Sequence, residues 1–346
     1  MDISRVYWHT WSLTQYSIER FNNEYAMLTP SLLLIVGFVI LIKGADLLVA
    51  GASSVAKKYG ISNLAIGLTV VAFGTSMPEL IVSLFAAVNG QNDASFGNVI
   101  GSNNFNLLFI LGVTGLISPL AVQRNTVKYE VPISVLAAVV LFVCVNDWLV
   151  WDSNYNMLSR ADSAILLVAF VFFLYYIYRT MKSAAGDSSE GQVKTYTTFK
   201  STGMIVFGLA MLVGGGNLVV TNATTIAQYF GMSEKLIGLT ILAAGTSLPE
   251  LATSTVAAYR RNTDIAIGNV VGSNIFNIFF ILGVTGIINP IAYNPALNHD
   301  LYVLVGATFV LIIFMFTLHK RKLDRWEAVI LLLGYAAYMF YLFRVD

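Results

Sequence analysis

The chain has 346 residues, of which 57% are hydrophobic and only 11% are charged, and its formal net charge is +1. Because ordinary soluble domains carry about 25% charged residues, this composition predicts an integral membrane protein surrounded by a lipid bilayer. The basic residues do not form a continuous stripe in the sequence, which argues against a nucleic-acid partner. One cysteine cannot form an internal disulfide, and the three histidines lie outside the long apolar runs, which argues against a His-based metal or catalytic site.

Residues 1–29 are polar and aromatic and lack the apolar core of a signal peptide, so they are predicted to form an N-terminal extracytoplasmic tail. A bilayer core needs roughly 20 apolar residues per helix. Ten runs of the sequence are apolar enough to be predicted as transmembrane helices: 31–56, 62–89, 95–118, 129–146, 161–178, 200–227, 234–258, 265–288, 300–318 and 326–343.

The polar stretch 180–199, rich in Ser, Gly and Lys, is predicted to be a cytoplasmic linker between a first five-helix repeat, 30–179, and a second one, 200–346. Loops on one side of the spans hold fourteen Lys and Arg residues, whereas the opposite loops with both termini hold five, and Lys43 lies within a span. Since cytoplasmic loops carry the basic excess, this predicts a multi-pass protein of the cell (plasma or inner) membrane with both termini extracytoplasmic.

The two halves of the chain repeat at a constant offset of 171 residues. Between 74–119 and 245–290, 27 of 46 positions are identical without a gap, and the identities include Gly, Pro, Glu and Asn, which apolar bias alone does not produce. An odd number of spans per half makes the second copy enter the membrane from the opposite face. The predicted fold is an all-α membrane protein with ten transmembrane helices in two inverted-topology repeats of five, in which helices 2 and 7 are broken.

The first repeated string is AFGTSMPEL at 72–80, which returns as AAGTSLPEL at 243–251. Pro78 lacks an N–H and its ring clashes with the Gly74 carbonyl, so carbonyls near 72–75 are predicted to be freed from the helix ladder. Helical spacing places hydroxyls and a carboxylate on the same stripe. Such an all-oxygen environment suits hard cations such as Ca²⁺ and Na⁺. The stripe comprises Ala72, Thr75, Ser76 and Glu79, and its copy comprises Ala243, Thr246, Ser247 and Glu250.

A structural role is the alternative for these strings, because Gly and Pro are common packing and kink residues in transmembrane helices, and Ser or Thr often bonds back to its own helix. Two copies with a glutamate in register favour the functional interpretation, because intramembrane carboxylates are costly.

The second repeated string is GNVIGSNNFN at 97–106, which returns as GNVVGSNIFN at 268–277. Its G-x-x-x-G pairs let another helix approach closely. Asn98 and Asn269 are predicted either to line a site or to form interhelical hydrogen bonds. Four further side chains on the same faces are predicted to line the ion site: Ser102, Asn106, Ser273 and Asn277.

Four charged residues lie near these strings or in the first span. Lys43 and Asp46, three residues apart in that span, are predicted to form a structural ion pair. Asp93 and Asp264 lie at loop ends and are predicted to be solvated or to cap helices, with an ion vestibule as the alternative.

The strings GTSMPEL…GNVIGSNNFN and GTSLPEL…GNVVGSNIFN resemble the two α-repeats that define the calcium/cation antiporter superfamily, specifically the sodium/calcium exchangers. The resemblance covers residues 30–343. It implies ten helices, repeats that meet at mid-membrane, and one chamber that holds either Ca²⁺ or several Na⁺. It also implies that the first and sixth spans tilt and slide as gates, and that the protein is a transporter without enzymatic activity or a cofactor beyond the transported ions.

The resemblance also implies a role for each repeated residue. Glu79 and Glu250 would be the Ca²⁺ carboxylates, assisted by the carbonyls of Thr75 and Thr246. Many relatives carry Asp where this chain has Asn277, which argues against K⁺ co-transport. Asn106 and Asn277 would face the middle of the chamber, and the flanking Na⁺ sites would be supplied by Ala72, Ser76, Ser102, Ala243, Ser247 and Ser273.

The predicted function is secondary antiport of Na⁺ against Ca²⁺ by alternating access, independent of K⁺. Proton/calcium exchange, or exchange of another divalent cation, is the alternative, although the proton-coupled relatives carry G-N-x-x-E strings instead. A cation channel would not need two inverted half-sites, and an intramembrane acid protease would use an Asp pair rather than two glutamates.

Overall fold

The computed structural model describes residues 3–147, 156–181, 194–232, 243–317 and 321–345. Helices dominate this part of the chain, and π-helical segments at Gly67–Val71, Phe105–Ile110, Thr126–Glu130 and Asn277–Leu282 adjoin several of them. The α-helices are α1 (Ile3–Tyr59), α2 (Asn63–Ile66), α3 (Ala72–Thr75), α4 (Met77–Val88), α5 (Asn92–Asn104), α6 (Leu111–Ile117), α7 (Val131–Val145), α8 (Arg160–Thr180), α9 (Thr198–Tyr229), α10 (Ala243–Gly245), α11 (Leu248–Tyr259), α12 (Thr263–Phe276), α13 (Gly283–Ile288), α14 (Asn298–Phe314) and α15 (Arg325–Val345), with a 3₁₀ turn at Pro295–Leu297.

Eight helices of the described ranges are long and apolar enough to cross a membrane, and a ninth crossing results if α2–α3 and α4, bent by 47°, count as one span. Nine predicted spans agree with these helices to within five residues at each end of the apolar part. The predicted seventh span, 234–258, begins outside the described residues, and its second part is α11. The multi-pass helical architecture is therefore confirmed, whereas the full count of ten stays a prediction.

Helix α1 runs without interruption from the predicted tail into the first span. No Gly or Pro precedes Pro30, so nothing in the sequence interrupts a helix before that position. The predicted boundary at residue 29 therefore marks a change from a polar to an apolar composition and not the end of a helix.

Helices α1 and α9 pack against each other in antiparallel fashion along a row of glycines. A Cβ on Gly44 would come within 2.9 Å of the Gly208 carbonyl, and one on Gly215 would come within 3.0 Å of the Gly37 carbonyl. These distances are shorter than real Cβ contacts, so only glycine permits this approach of the two backbones. The two helices occupy equivalent places in the repeats, because Gly37 and Gly44 match Gly208 and Gly215 at the offset of 171.

Two short strand pairs join the halves of the chain outside the spans. Strand β1 (Leu120–Ala121) pairs with β4 (Lys322–Leu323), and β2 (Met157–Leu158) pairs with β3 (Ile291–Ala292), both antiparallel. In each pair one strand comes from each half, so the loops as well as the helices connect the repeats.

The loop-end aspartates also form bonds between the halves. Gln123 Nε2 donates to Asp264 Oδ2 at 2.6 Å, and Asn294 Nδ2 donates to Asp93 Oδ2 at 3.1 Å. The two bonds are equivalent at the offset of 171. The Asp93 side chain is exposed, in agreement with the prediction of a solvated residue, and both aspartates also have a partner in the other half.

The predicted ion pair between Lys43 and Asp46 is wrong. The Asp46 carboxylate pairs with Arg260, at the end of α11, and the Lys43 side chain is exposed. Spacing along one helix made Lys43 an available partner, but the packing of α1 against the turn after α11 presents a guanidinium to the same carboxylate. Asn262 in this turn also donates to Ser53 Oγ of α1 at 2.9 Å.

Candidate ion-binding chamber

Both copies of the first repeated string break their helix at the serine. Ser76 has φ −83° and ψ 8°, and Ser247 has φ −90° and ψ 7°, values outside the α-helical range. The following helices, α4 and α11, each begin with the proline in their first turn. Proline is tolerated there because the first N–H groups of a helix have no helical acceptor. The predicted break in helix 2 is therefore present, and the described part of helix 7 breaks at the equivalent residue.

The carbonyl of Ala72 is not released by this break. It accepts the Ser76 N–H at 3.1 Å and the Thr75 hydroxyl at 3.4 Å. Pro78 removes only the donor that would reach the Gly74 carbonyl, so the prediction of freed carbonyls near 72–75 does not hold for Ala72.

The two glutamates receive hydrogen bonds from the opposite repeat. Ser76 Oγ donates to Glu250 Oε1 at 2.8 Å, and Ser247 Oγ donates to Glu79 Oε1 at 3.0 Å. Ser273 Oγ also donates to Glu250 Oε1, at 3.4 Å. Both carboxylates are at most 1% exposed. Each half-site is thus composed of a glutamate from one repeat and a serine from the other, which the stripe within a single helix did not predict.

Asn98 and Asn269 join α5 and α12 to the helix that precedes each of them and to a threonine of the opposite repeat. Asn269 Nδ2 donates to Ser254 Oγ at 2.9 Å and to the Glu250 carbonyl at 3.3 Å, and its Oδ1 accepts the Thr75 hydroxyl at 3.1 Å. Asn98 makes the equivalent contacts with Ser83, the Glu79 carbonyl and Thr246. Of the two predicted alternatives, these contacts correspond to interhelical hydrogen bonding, and they hold the backbone of each glutamate in place.

Four asparagines form a reciprocal network where α5 meets α12. Asn103 and Asn274 donate to each other's carbonyl at 3.2 Å. Asn106 Nδ2 donates to Asn274 Oδ1, and Asn277 Nδ2 donates to Asn103 Oδ1, both at 3.0 Å. All four side chains are buried. The Oδ1 atoms of Asn103 and Asn274 are thereby paired, whereas those of Asn106 and Asn277 have no hydrogen-bond partner in the described residues.

Three further buried oxygens near these groups also have no partner among the described residues, namely Glu79 Oε2, Glu250 Oε2 and Ser102 Oγ. Buried polar atoms are normally paired, and leaving one unpaired costs about 1–3 kcal/mol, more for a charged group. Unpaired oxygens of carboxylate, amide and hydroxyl type are the ligands that hard cations prefer. The chemistry of the donor set therefore fits a cation as the transported substrate.

Among the described residues, hydrogen bonds join the two glutamates to Ser76, Ser247 and Ser273, and Asn106 and Asn277 to the asparagine network, whereas Ser102 Oγ has no such bond. Thr246 is half-buried, whereas Thr75 is fully buried. The side chain of Ala243 lies outside the described part of the chain. The Ala72 side chain packs against Gly272, where a Cβ would come within 2.9 Å. The buried members of the predicted set are Ala72, Thr75, Ser76, Glu79, Ser102, Asn106, Ser247, Glu250, Ser273 and Asn277.

Sequence reasoning missed Asn103 and Asn274. Both lie inside the second repeated string and are identical at the offset of 171, so the repeat itself contained the signal. Their side chains lie off the face that carries Ser102 and Asn106, and the helical-face argument therefore passed over them.

A family model described as sodium/calcium exchanger protein matches residues 29–179 and 200–344. The chain belongs to the sodium/calcium exchanger family. The exchanger is therefore a multi-pass integral membrane protein that carries out cation antiport, and it is a transporter rather than an enzyme.

Relatives and solved structures match the exchanger over nearly its whole length. It is 41% identical over 325 residues to the putative antiporter CaxA of Alkalimonas amylolytica, covering 92% of this chain and 99% of the relative. It is 34% identical over 346 residues to the sodium/calcium exchanger MaX1 of Methanosarcina acetivorans, covering 91% and 98%. The structure of the sodium-calcium exchanger NCX_Mj soaked with zero Na⁺ and Ca²⁺ matches with a TM-score of 0.77 and 29% identity, covering 91% of this chain and 99% of that one.

Proposed function

We propose that this protein exchanges Na⁺ for Ca²⁺ by alternating access, without K⁺. The observation that carries the proposal is the pair of buried carboxylates, Glu79 and Glu250, each with one oxygen bonded to a serine of the opposite repeat and one oxygen without a protein partner. Moving Ca²⁺ out of water into a buried site requires compensating negative charge. Two glutamates supply it for one Ca²⁺, and the same carboxylates with neutral oxygens accommodate several Na⁺.

Asn277 supports independence from K⁺. Its amide nitrogen donates to Asn103 and its oxygen has no hydrogen-bond partner in the described residues, so this position offers a neutral oxygen instead of a third carboxylate. The equivalent residue, Asn106, has the same arrangement. A chamber with two formal negative charges has none left to compensate K⁺ in addition to Ca²⁺.

Alternating access follows from the proposed inverted topology. Two equivalent helices related by a two-fold axis run antiparallel only if that axis is perpendicular to them. Helices α1 and α9 are such a pair. For membrane-crossing helices, a perpendicular axis lies in the membrane plane, which is the arrangement of inverted repeats. We extend this to ten spans, with repeats at 30–179 and 200–346, a cytoplasmic linker at 180–199, and both termini extracytoplasmic in a plasma or inner membrane.

The test is ion flux in proteoliposomes with defined gradients of Na⁺, K⁺, Ca²⁺ and H⁺. We expect an outward Na⁺ gradient to drive ⁴⁵Ca²⁺ uptake equally with and without K⁺. A requirement for K⁺ on the Ca²⁺ side would contradict K⁺ independence, and uptake driven by a pH gradient without Na⁺ would indicate a proton-coupled exchanger. Ca²⁺ flux that needs no ion on the opposite side would indicate a channel.

A further inference from the structure

The asparagine network contains two members that the proposed ion site does not include. Asn103 lies in the last turn of α5 and Asn274 lies in the last turn of α12, and both side chains are fully buried. Each donates its Nδ2 to the backbone carbonyl of the other, at 3.2 Å. Because a backbone carbonyl only accepts hydrogen bonds, each of these amides must direct its nitrogen at that carbonyl and its oxygen elsewhere.

This orientation determines the orientation of two further amides. Asn103 Oδ1 accepts a hydrogen bond from Asn277 Nδ2, and Asn274 Oδ1 accepts one from Asn106 Nδ2, both at 3.0 Å. If the Asn277 amide were reversed, its oxygen would meet the Asn103 oxygen, and neither atom can donate. The Asn277 nitrogen is therefore held at Asn103, and its Oδ1 is the end that has no hydrogen-bond partner within the described ranges. The same argument applies to Asn106 and Asn274.

The orientation of an amide matters to a cation because its two ends have opposite character. The oxygen is a ligand for hard cations, whereas the N–H₂ group only donates hydrogen bonds and repels a positive charge. An asparagine without support offers either end. Holding the amide in one orientation before the cation arrives removes this ordering cost from binding.

Both repeats contain the same arrangement. At the offset of 171, the supporting asparagine and the asparagine that presents its oxygen are identical in the two copies. In each copy a π-helical segment carries the second of these residues, which are Asn106 in Phe105–Ile110 and Asn277 in Asn277–Leu282. Such segments occur frequently at functional sites.

We propose that Asn103 and Asn274 are positioning residues for cation binding. Asn103 orients the amide of Asn277, and Asn274 orients the amide of Asn106, so that the oxygen of each oriented amide, and not its nitrogen, is available to the transported cation. Each positioning residue thus serves a ligand of the opposite repeat. This inference rests on the proposed function, in which the chamber binds Ca²⁺.

Equilibrium binding of ⁴⁵Ca²⁺ to the full-length protein in detergent, in Na⁺-free choline chloride, tests the positioning role. Asn103→Leu keeps a similar size and removes both hydrogen-bonding groups. We expect it to raise the half-saturating Ca²⁺ concentration by about 10–100-fold, the usual effect of losing a group that orients a metal ligand. In an Asn277→Ala background, the same change is expected to have no more than about a twofold effect, because the amide that Asn103 orients is absent. In an Asn106→Ala background, its full effect is expected to remain.

Asn104→Ile is the matched control. Asn104 is also fully buried in the second repeated string, but its Nδ2 donates to the Asp300 carbonyl at 3.0 Å, outside the network. The second repeat has Ile275 at this place, so the fold accommodates the change there. We expect Asn104→Ile to leave the half-saturating Ca²⁺ concentration unchanged.

Unchanged Ca²⁺ binding in Asn103→Leu would overturn the inference. Equal effects of Asn103→Leu in the Asn277→Ala and Asn106→Ala backgrounds would also overturn it, because the loss would then come from general packing. If Asn103→Leu does not fold, Asn274→Leu decides by the same comparison with the two backgrounds exchanged. Ca²⁺ binding by the unmodified protein without Na⁺-driven uptake would refute the proposed exchange alone, since the binding comparison still decides the positioning role.

Discussion

The two ends of the chamber carry the same residues but differ in exposure. At one end, next to the turn 260–262, Thr75 and Asn269 are fully buried. At the other end, next to the turn 89–91, the equivalent Thr246 and Asn98 are half-buried. The difference arises outside the repeated strings, because the hydrogen bonds within them are equivalent at both ends. Identical residues in the two repeats are thus fully buried at one end and half-buried at the other.

The contacts of α1 and α9 also differ between the two ends. At the buried end, Asp46 pairs with Arg260, and Ser53 accepts a hydrogen bond from Asn262. At the offset of 171, the four corresponding residues at the accessible end are Asn217, Asn89, Thr224 and Gln91. There the first pair is uncharged, and Thr224 Oγ1 has no hydrogen-bond partner in the described part of the chain. Within the described ranges, a charged pair and a hydrogen bond thus join α1 to the turn after α11, and neither is present where α9 meets the turn 89–91.

The largest effect is expected from changing the feature that both ends share, which is the buried glutamate. Glu79→Gln and Glu250→Gln each retain the side-chain shape and remove one charge. Since removing one partner of a buried charge pair costs about 3–5 kcal/mol, each is expected to lower Na⁺-dependent ⁴⁵Ca²⁺ uptake at least about a hundredfold. The ion-free protein is expected to keep its stability, because a buried amide is cheaper than a buried carboxylate. Lys43→Met, an exposed position, is the control, and robust exchange by either Gln variant would refute the site.

A smaller effect is expected for the hydrogen bonds that each serine donates to the glutamate of the other repeat. In a double-mutant cycle on thermal stability, Ser76→Ala and Glu250→Gln are expected to couple by about 0.5–3 kcal/mol, as residues in contact do. Ser76→Ala with Glu79→Gln is the control cycle, and a coupling near zero is expected because no hydrogen bond joins these side chains. Equal coupling in both cycles would mean that the serine serves the glutamate of its own repeat.

The smallest effect is expected for the ion pair that joins α1 to the turn after α11. Partly exposed ion pairs contribute about 0.2–1 kcal/mol, so Asp46→Asn is expected to shift the balance between the two access states by at most about fivefold. Adding the reverse change, Asn217→Asp with Asn89→Arg, places an equivalent pair at the accessible end. In a Thr246→Cys/Cys144→Ala protein, that addition is expected to slow labelling of Cys at 246 by a membrane-impermeant thiol reagent. Unchanged labelling would show that the asymmetry does not depend on this ion pair.

The described spans, the helix breaks and the repeated oxygen-bearing side chains could be predicted from the sequence, because apolar length, proline position and a gap-free internal repeat are properties of local chain chemistry. The hydrogen-bond partners of those side chains could not be predicted. The offset of 171 identifies Ser76 with Ser247, but it does not say that each bonds the other repeat's glutamate. That pairing depends on how the halves pack.

The same limit explains the wrong ion pair. Lys43 is the natural helical partner of Asp46, and only the position of the turn after α11 brings Arg260 to that carboxylate. Asn103 and Asn274 show a different limit, because their role depends on a crossing of α5 and α12 that one helical face cannot reveal.

The glycine row between α1 and α9 has a mechanical consequence. Where Gly44 meets α9, its nearest neighbours are the Met211 Cβ, the Gly208 carbonyl and the Leu212 backbone nitrogen, so no flexible end of a side chain lies at this contact. We expect a displacement of one helix along its axis to carry the other with it, so that the antiparallel pair moves as one body. In the proposed alternating-access cycle, a body that leaves one end of the chamber would arrive at the other, and both ends would not be open together. The closeness of the two backbones would then protect the membrane gradient from leakage.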